Sequence, residues 1–159
     1  MSLISLADAA AHCRVDSDYP AEQLQGYVDG AEAAAAAYLN CAIFQSQGAL
    51  DTAVDGIPAK AAEAAALYAG AIEAAAALQD VDERRAFIEV ATKRRDDAAL
   101  SRARLLNGVV ANPAILSAIK LTLGTLFANR EDVAIANNVL ELPLSARVLL
   151  RPYRRVMSP

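Results

Sequence analysis

His12 is the one histidine of the chain, so any histidine-dependent triad would have to be built on it. Histidine suits that work because its ordinary pKa lets it take and return a proton near neutrality. Here the partners are missing. There is no Gly-x-Ser-x-Gly elbow, and the Glu-x-x-His pairs that hold di-iron centres in helical bundles do not occur. Neither a phosphate-cradling GxxxxGK loop nor a GxGxxG turn is present. Carboxylates are plentiful, but Asp16 with Asp18, and Asp96 with Asp97, stand where turn or cap roles account for them. Cys13 and Cys41 are far apart, in neither metal nor redox spacing, and read as small buried hydrophobes. The expectation is a protein without catalytic residues, cofactor or metal, and not an enzyme.

Two groups of cations are better placed to do work. Lys93, Arg94 and Arg95 could touch phosphate as a positive stripe lining a channel for DNA. Such contact would be non-specific and salt-sensitive. The adjacent acids favour the plainer alternative of a solvated helix face. Arg147, Arg151, Arg154 and Arg155, with Tyr153 among them, form the stronger cluster. They read either as a frayed surface tail or as a docking tail, for which the planar guanidinium fork is well suited. Removal of the chain from Arg147 onward is expected to spare the fold. Asn129-Arg130-Glu131 reads as a helix end with a cation near the negative pole of the dipole.

The elements that must carry these groups are helices. A chain of 159 residues is long enough for one substantial core. Hydrophobic residues make up 55%, much of it alanine, with 5% aromatics and no Trp. Alanine has high helix propensity and lets helices approach closely, but buries little area. The fold expected is all-α: a compact helical bundle, one domain over residues 1–150, with a basic tail over 151–159. Net charge is −4 but unevenly spread. Residues 1–58 carry −7, residues 59–112 zero and residues 113–159 +3. An acidic end and a basic end suit self-association, and the overall acidity argues against a dedicated duplex-DNA reader. No signal peptide and no membrane span are indicated.

Ser5 can cap a short helix through Cys13. Pro20 opens a second, whose apolar positions Leu24, Tyr27, Val28, Ala31, Ala35, Tyr38 and Leu39 share one face at helical period. Residues 40–57 read as a loop. Pro58 opens an alanine-dense third helix to Leu78. Asp82 caps a fourth, with a break near Asp96-Asp97 and an end at Asn107-Gly108. Asn112 caps the next, with Pro113 in its first turn. From Ile115 to Phe127 only Lys120 is charged, which predicts a central helix buried on nearly all sides. Residues 139–142 suggest a short extended piece, and Ser145 to Leu150 a final turn or two.

Several of these residues occur in an order that resembles the head–tail connector (adaptor) family of long-tailed bacteriophages and prophages. They are Ser5-Leu6-Ala7-Asp8, Cys13-Arg14-Val15-Asp16, Ala31, Tyr38 and Leu39 near the start. Pro113, Ile115, Ala118, Asn129-Arg130-Glu131, Leu142-Pro143 and Pro152-Tyr153-Arg154 follow near the end. The middle, 45–111, is longer and more charged than the family pattern, and nothing carries over there. The resemblance implies a structural virion protein of the neck, assembled in the bacterial host cytoplasm. It would form a homo-oligomeric ring of about twelve copies, join the portal to the stopper or tail-completion protein, and pass DNA through its lumen. Asn129, Arg130, Glu131, Arg147, Arg151, Tyr153, Arg154 and Arg155 would then meet the portal or a neighbouring subunit. The rival reading is a small dimeric helical module that regulates or binds a ligand.

Overall fold

The computed structural model describes residues 2–16, 18–129 and 142–155. Its helices are α1 (Leu6–Cys13), α2 (Ala21–Leu39), α3 (Gln47–Asp55), α4 (Ile57–Ala76), α5 (Val81–Leu106), α6 (Pro113–Ala128) and α7 (Leu144–Leu150). Two-residue strands β1 (Ile43–Phe44) and β2 (Val109–Val110) pair in parallel, and a 3-10 turn (Arg151–Tyr153) follows α7. The chain is all-α in character. Where the sequence suggests one domain over 1–150, the chain divides into two compact units, residues 47–108 and the two flanking segments together.

The flanking segments build a unit around α2 and α6. Leu24, Val28, Ala31, Ala35 and Leu39 of α2 are buried, as the periodicity predicts. They meet Ile115, Ala118, Ile119 and Leu123 of α6, with Ile4, Ala9, Cys41, Ala146 and Leu150 completing the core. Phe127 anchors one end, meeting Tyr19 and Tyr27 edge to face at centroid distances of 5.5 and 5.7 Å. Caps set the helix starts. Ser5 accepts from the Asp8 amide at 3.1 Å, and Asn112 from the Ile115 amide at 3.0 Å. Helix α1 ends on Arg14 in the left-handed region at φ 52°, and the Val15 amide reaches back to the Ala10 carbonyl at 3.1 Å. Helix α6 approaches α1 closely at Gly124, where a Cβ would lie 3.4 Å from His12 Nε2.

Helix α6 departs from the expectation of burial all round. Ile115, Ala118, Ile119, Thr122 and Leu123 form one buried stripe, while Leu121, Thr125 and Leu126 are exposed. Apolar composition makes a helix able to be buried on all sides, but the neighbours present decide how many sides are covered. Buried Thr122 is satisfied locally, its hydroxyl donating to the Ala118 carbonyl at 2.9 Å.

The unit formed by residues 47–108 holds α3, α4 and α5, with α4 and α5 joined by the short link Ala77–Asp80. Three expectations are corrected here. The supposed loop over 40–57 contains β1 and helix α3, supported by a Gln47–Asp51 side-chain bond at 2.8 Å and by Thr52 Oγ1 donating to the Gly48 carbonyl. The cap of α5 is Asp80, which accepts from the Glu83 amide at 2.8 Å, so Asp82 lies within the first turn. And α5 runs unbroken through Asp96-Asp97, because those acids pair with Arg95 and Lys93 on the same helix and cap nothing. Ala75 and Ala91 are the buried residues of this unit.

Candidate functional site

A concavity lies between α4 and α5. It is a groove of about 200 Å³ lined by Ala64, Tyr68 and Ala71 on one side and by Phe87, Ala91 and Arg94 on the other. Its rims are large apolar side chains left in solvent: Leu67 is 69% exposed, Val90 51% and Phe87 47%. Helix α4 can approach its partner closely because alanine dominates it. The same alanines leave no long side chains to shield Leu67 and Phe87. Large apolar side chains exposed together along one groove make it a candidate surface for meeting another molecule.

The cations predicted to line a DNA channel sit beside this groove, on α5. Their charge is partly answered at home. Lys93 Nζ lies 2.7 Å from Asp97, and Arg95 pairs with Asp96 at 3.1 Å while its guanidinium stacks 4.7 Å over the Tyr68 ring. Among the described residues Arg94 has no ion-pair partner. The trio therefore divides: two cations belong to local pairs on the helix, and Arg94 offers its charge outward.

The C-terminal arginines occupy the other unit, and through Arg155 they are not a free extended tail. Asn40 ends α2 at φ 54°, in the left-handed region, which leaves the last carbonyls of the helix without helical partners. The Arg155 amide donates to the Leu39 carbonyl at 2.9 Å, and Asn40 Nδ2 donates to the Arg155 carbonyl at 3.3 Å. Arg154 lies 5.2 Å over the Tyr38 ring, and Tyr153 packs against the core. Arg151 is exposed, and Arg147 is half-buried on α7. Because Leu150 is fully buried, cutting the chain at Arg147 removes core along with the arginines; the expectation that such a truncation spares the fold is corrected. Asn129 ends α6, its side chain donating to the Thr125 carbonyl at 2.9 Å. Arg130, Glu131, residues 139–141 and residues 156–159 lie outside the described residues.

Two features escaped the sequence reading. Glu32 Oε1 accepts from Ser2 Oγ (2.7 Å), the Leu3 amide (2.7 Å) and the Ile4 amide (3.1 Å), and so ties the N-terminal segment to α2. Gln45 Nε2 also donates to the Ser2 carbonyl. A lone glutamate inside an alanine run carries no sign of such a long-range role. Second, Cys41 is buried, which pushes its thiol pKa up, while the nearby Arg155 cation pulls it down. His12 is exposed on α1. Among the described residues no group of three or more His, Cys, Asp or Glu is placed to hold a metal, and no helix is long and apolar enough to cross a membrane. Compared with known proteins, the chain matches no family model, no curated protein and no solved structure.

Proposed function

We propose that this chain is a structural assembly protein, the ring-forming head–tail connector of a long-tailed bacteriophage or prophage. The observation that carries the reading is a coincidence of boundaries. Residues that fit the connector pattern, from Ser5 and Arg14 through Leu39 to Pro113, Ala118 and Tyr153, all lie in the unit built from the two ends of the chain. The stretch that departs from the pattern, 45–111, nearly coincides with the other unit, residues 47–108. Within the first unit the pattern residues define the fold: Ser5 and Pro113 start helices, and Ala31, Leu39, Ile115 and Ala118 are fully buried. A pattern made of caps and core positions is what a shared fold would impose.

In this reading α6 is the central helix of each subunit. The basic segment from Arg147 through Arg155 is the end that meets the portal or a neighbouring copy. The ring, of about twelve copies, closes a heterologous interface by cyclic symmetry. DNA crosses its lumen in weak, non-specific contact with the wall, and the stopper or tail-completion protein binds below. The work is done by interface free energy, with no reaction catalysed. Exposed apolar surface on α4 and α5 supports an assembly role.

Light scattering on the purified chain, alone and mixed with portal protein, tests the reading. A closed ring, or a monomer that assembles on the portal, is expected. A stable dimer carrying a bound small molecule would overturn the reading in favour of a helical regulatory or ligand-binding module. So would tight, sequence-selective duplex binding in a gel shift at physiological salt.

A further inference from the structure

We infer that the outer face of the α4–α5 hairpin docks on the acidic face of α2 in a second copy of this chain, a head-to-tail contact between different surfaces. The inference rests on the ring reading and names the contact that would build the ring. Charge and exposed apolar side chains both point to it. On α5, Phe87, Val90 and Arg94 fall at i, i+3 and i+7, so two exposed apolar side chains and an unpaired cation share one stripe. Leu67 of α4 stands at the opposite rim of the same groove.

The complementary surface is on the other unit. Along α2, Glu22, Gly26, Asp29, Ala33 and Ala37 are exposed on the side away from the buried stripe. Glu22 makes no ion pair among the described residues, and Asp29 accepts only from neighbouring Gln25, at 2.7 Å. A Cβ added at Gly26 would meet nothing within 4 Å, so the surface there is open. The segment through Ser46 carries Asp8, Asp16, Asp18, Glu22, Asp29 and Glu32 against Arg14 alone. A low surface flanked by acids can receive apolar rims and a free arginine, and a desolvated arginine–carboxylate pair fixes the register. Because the two faces differ, each copy can give one and receive the other, so the contact is heterologous and propagates, forming a ring where the rotation per step closes.

A mixing experiment tests the contact. One variant carries Val90→Ser with Arg94→Ser, which removes the apolar rim and the cation from the hairpin face and leaves it no charge to pair with either form of the α2 face. The other carries Glu22→Arg with Asp29→Arg, which disables the α2 face. Each alone should stay folded by circular dichroism and associate about tenfold more weakly, or worse, than the unaltered chain. Mixed together they should form a one-to-one heterodimer and nothing larger, since one intact face of each kind remains. Leu67→Glu, a single change on α4, should also weaken assembly. If the unaltered chain is a monomer at every concentration, or if either variant still forms rings, the inference is overturned while the connector reading survives. A closed two-fold dimer of the unaltered chain would overturn both.

Discussion

Replacing Glu32 with alanine should release the N-terminal segment from α2 and cost about 2 kcal/mol. The carboxylate oxygen accepts three donors, from Ser2 Oγ, the Leu3 amide and the Ile4 amide. A hydrogen bond to a charged acceptor contributes about 1.5–3 kcal/mol when buried. These three share one oxygen in a half-buried setting where water competes, so their values do not add. Alanine's better helix propensity returns a few tenths of a kcal/mol. Glu32→Gln keeps a carbonyl acceptor for the two amides and loses only the charge, so its cost should be roughly 1 kcal/mol. The order expected is therefore glutamate, then glutamine, then alanine. Urea denaturation gives the free energies, and amide hydrogen exchange at Leu3 and Ile4 gives the local readout. In the alanine variant those two amides should lose protection while Ile115 and Ile119 in the core keep theirs. If Leu3 and Ile4 remain protected, or if the glutamine and alanine variants cost the same, Glu32 is not the anchor.

Ile119→Asp or Leu123→Asp, each at a fully buried site, places an unpaired charge in the core and should unfold the unit built from the chain ends; an unchanged melt monitored by circular dichroism would refute the core assignment. Cys41, whose thiol is raised above its ordinary 9.0, ionises less readily in the folded chain than in the unfolded one. Stability should therefore be complete below that value and decline as pH rises above it, to a lesser degree in Cys41→Ser. Arg155→Ala should raise the thiol further, since its cation favours the thiolate, and slow alkylation of Cys41 by iodoacetamide; a faster reaction at every pH would show that Arg155 acts as a steric cover alone.

What the chain discloses on reading, and what it withholds, divides along the range of the interactions involved. The Ser5 and Asn112 caps, the Pro113 start and the buried stripe of α2 are set within a few residues, and all are legible as written. All-helical character follows from alanine content and period in the same way. Errors begin where the deciding partner is distant. Helix α3 lies in a stretch whose glycines and polar residues read as loop, and it packs against α4 and α5. The pairing of Ile43 with Val109 joins two dipeptides too short to show strand periodicity. Apolar composition made α6 look buried on all sides, yet the neighbours that fold against it cover one stripe. The C-terminal arginines read as a tail because the orphan carbonyl that receives the Arg155 amide belongs to Leu39, far back in the chain. Lys93, Arg94 and Arg95 are equivalent in sequence; only the folded hairpin places Arg95 over Tyr68 and leaves Arg94 facing outward beside Phe87 and Val90. Local propensity and capping act through the backbone within a turn or two, so sequence alone determines them. Burial, exposure and long-range hydrogen bonds depend on which surfaces meet, and that is decided only by the tertiary structure.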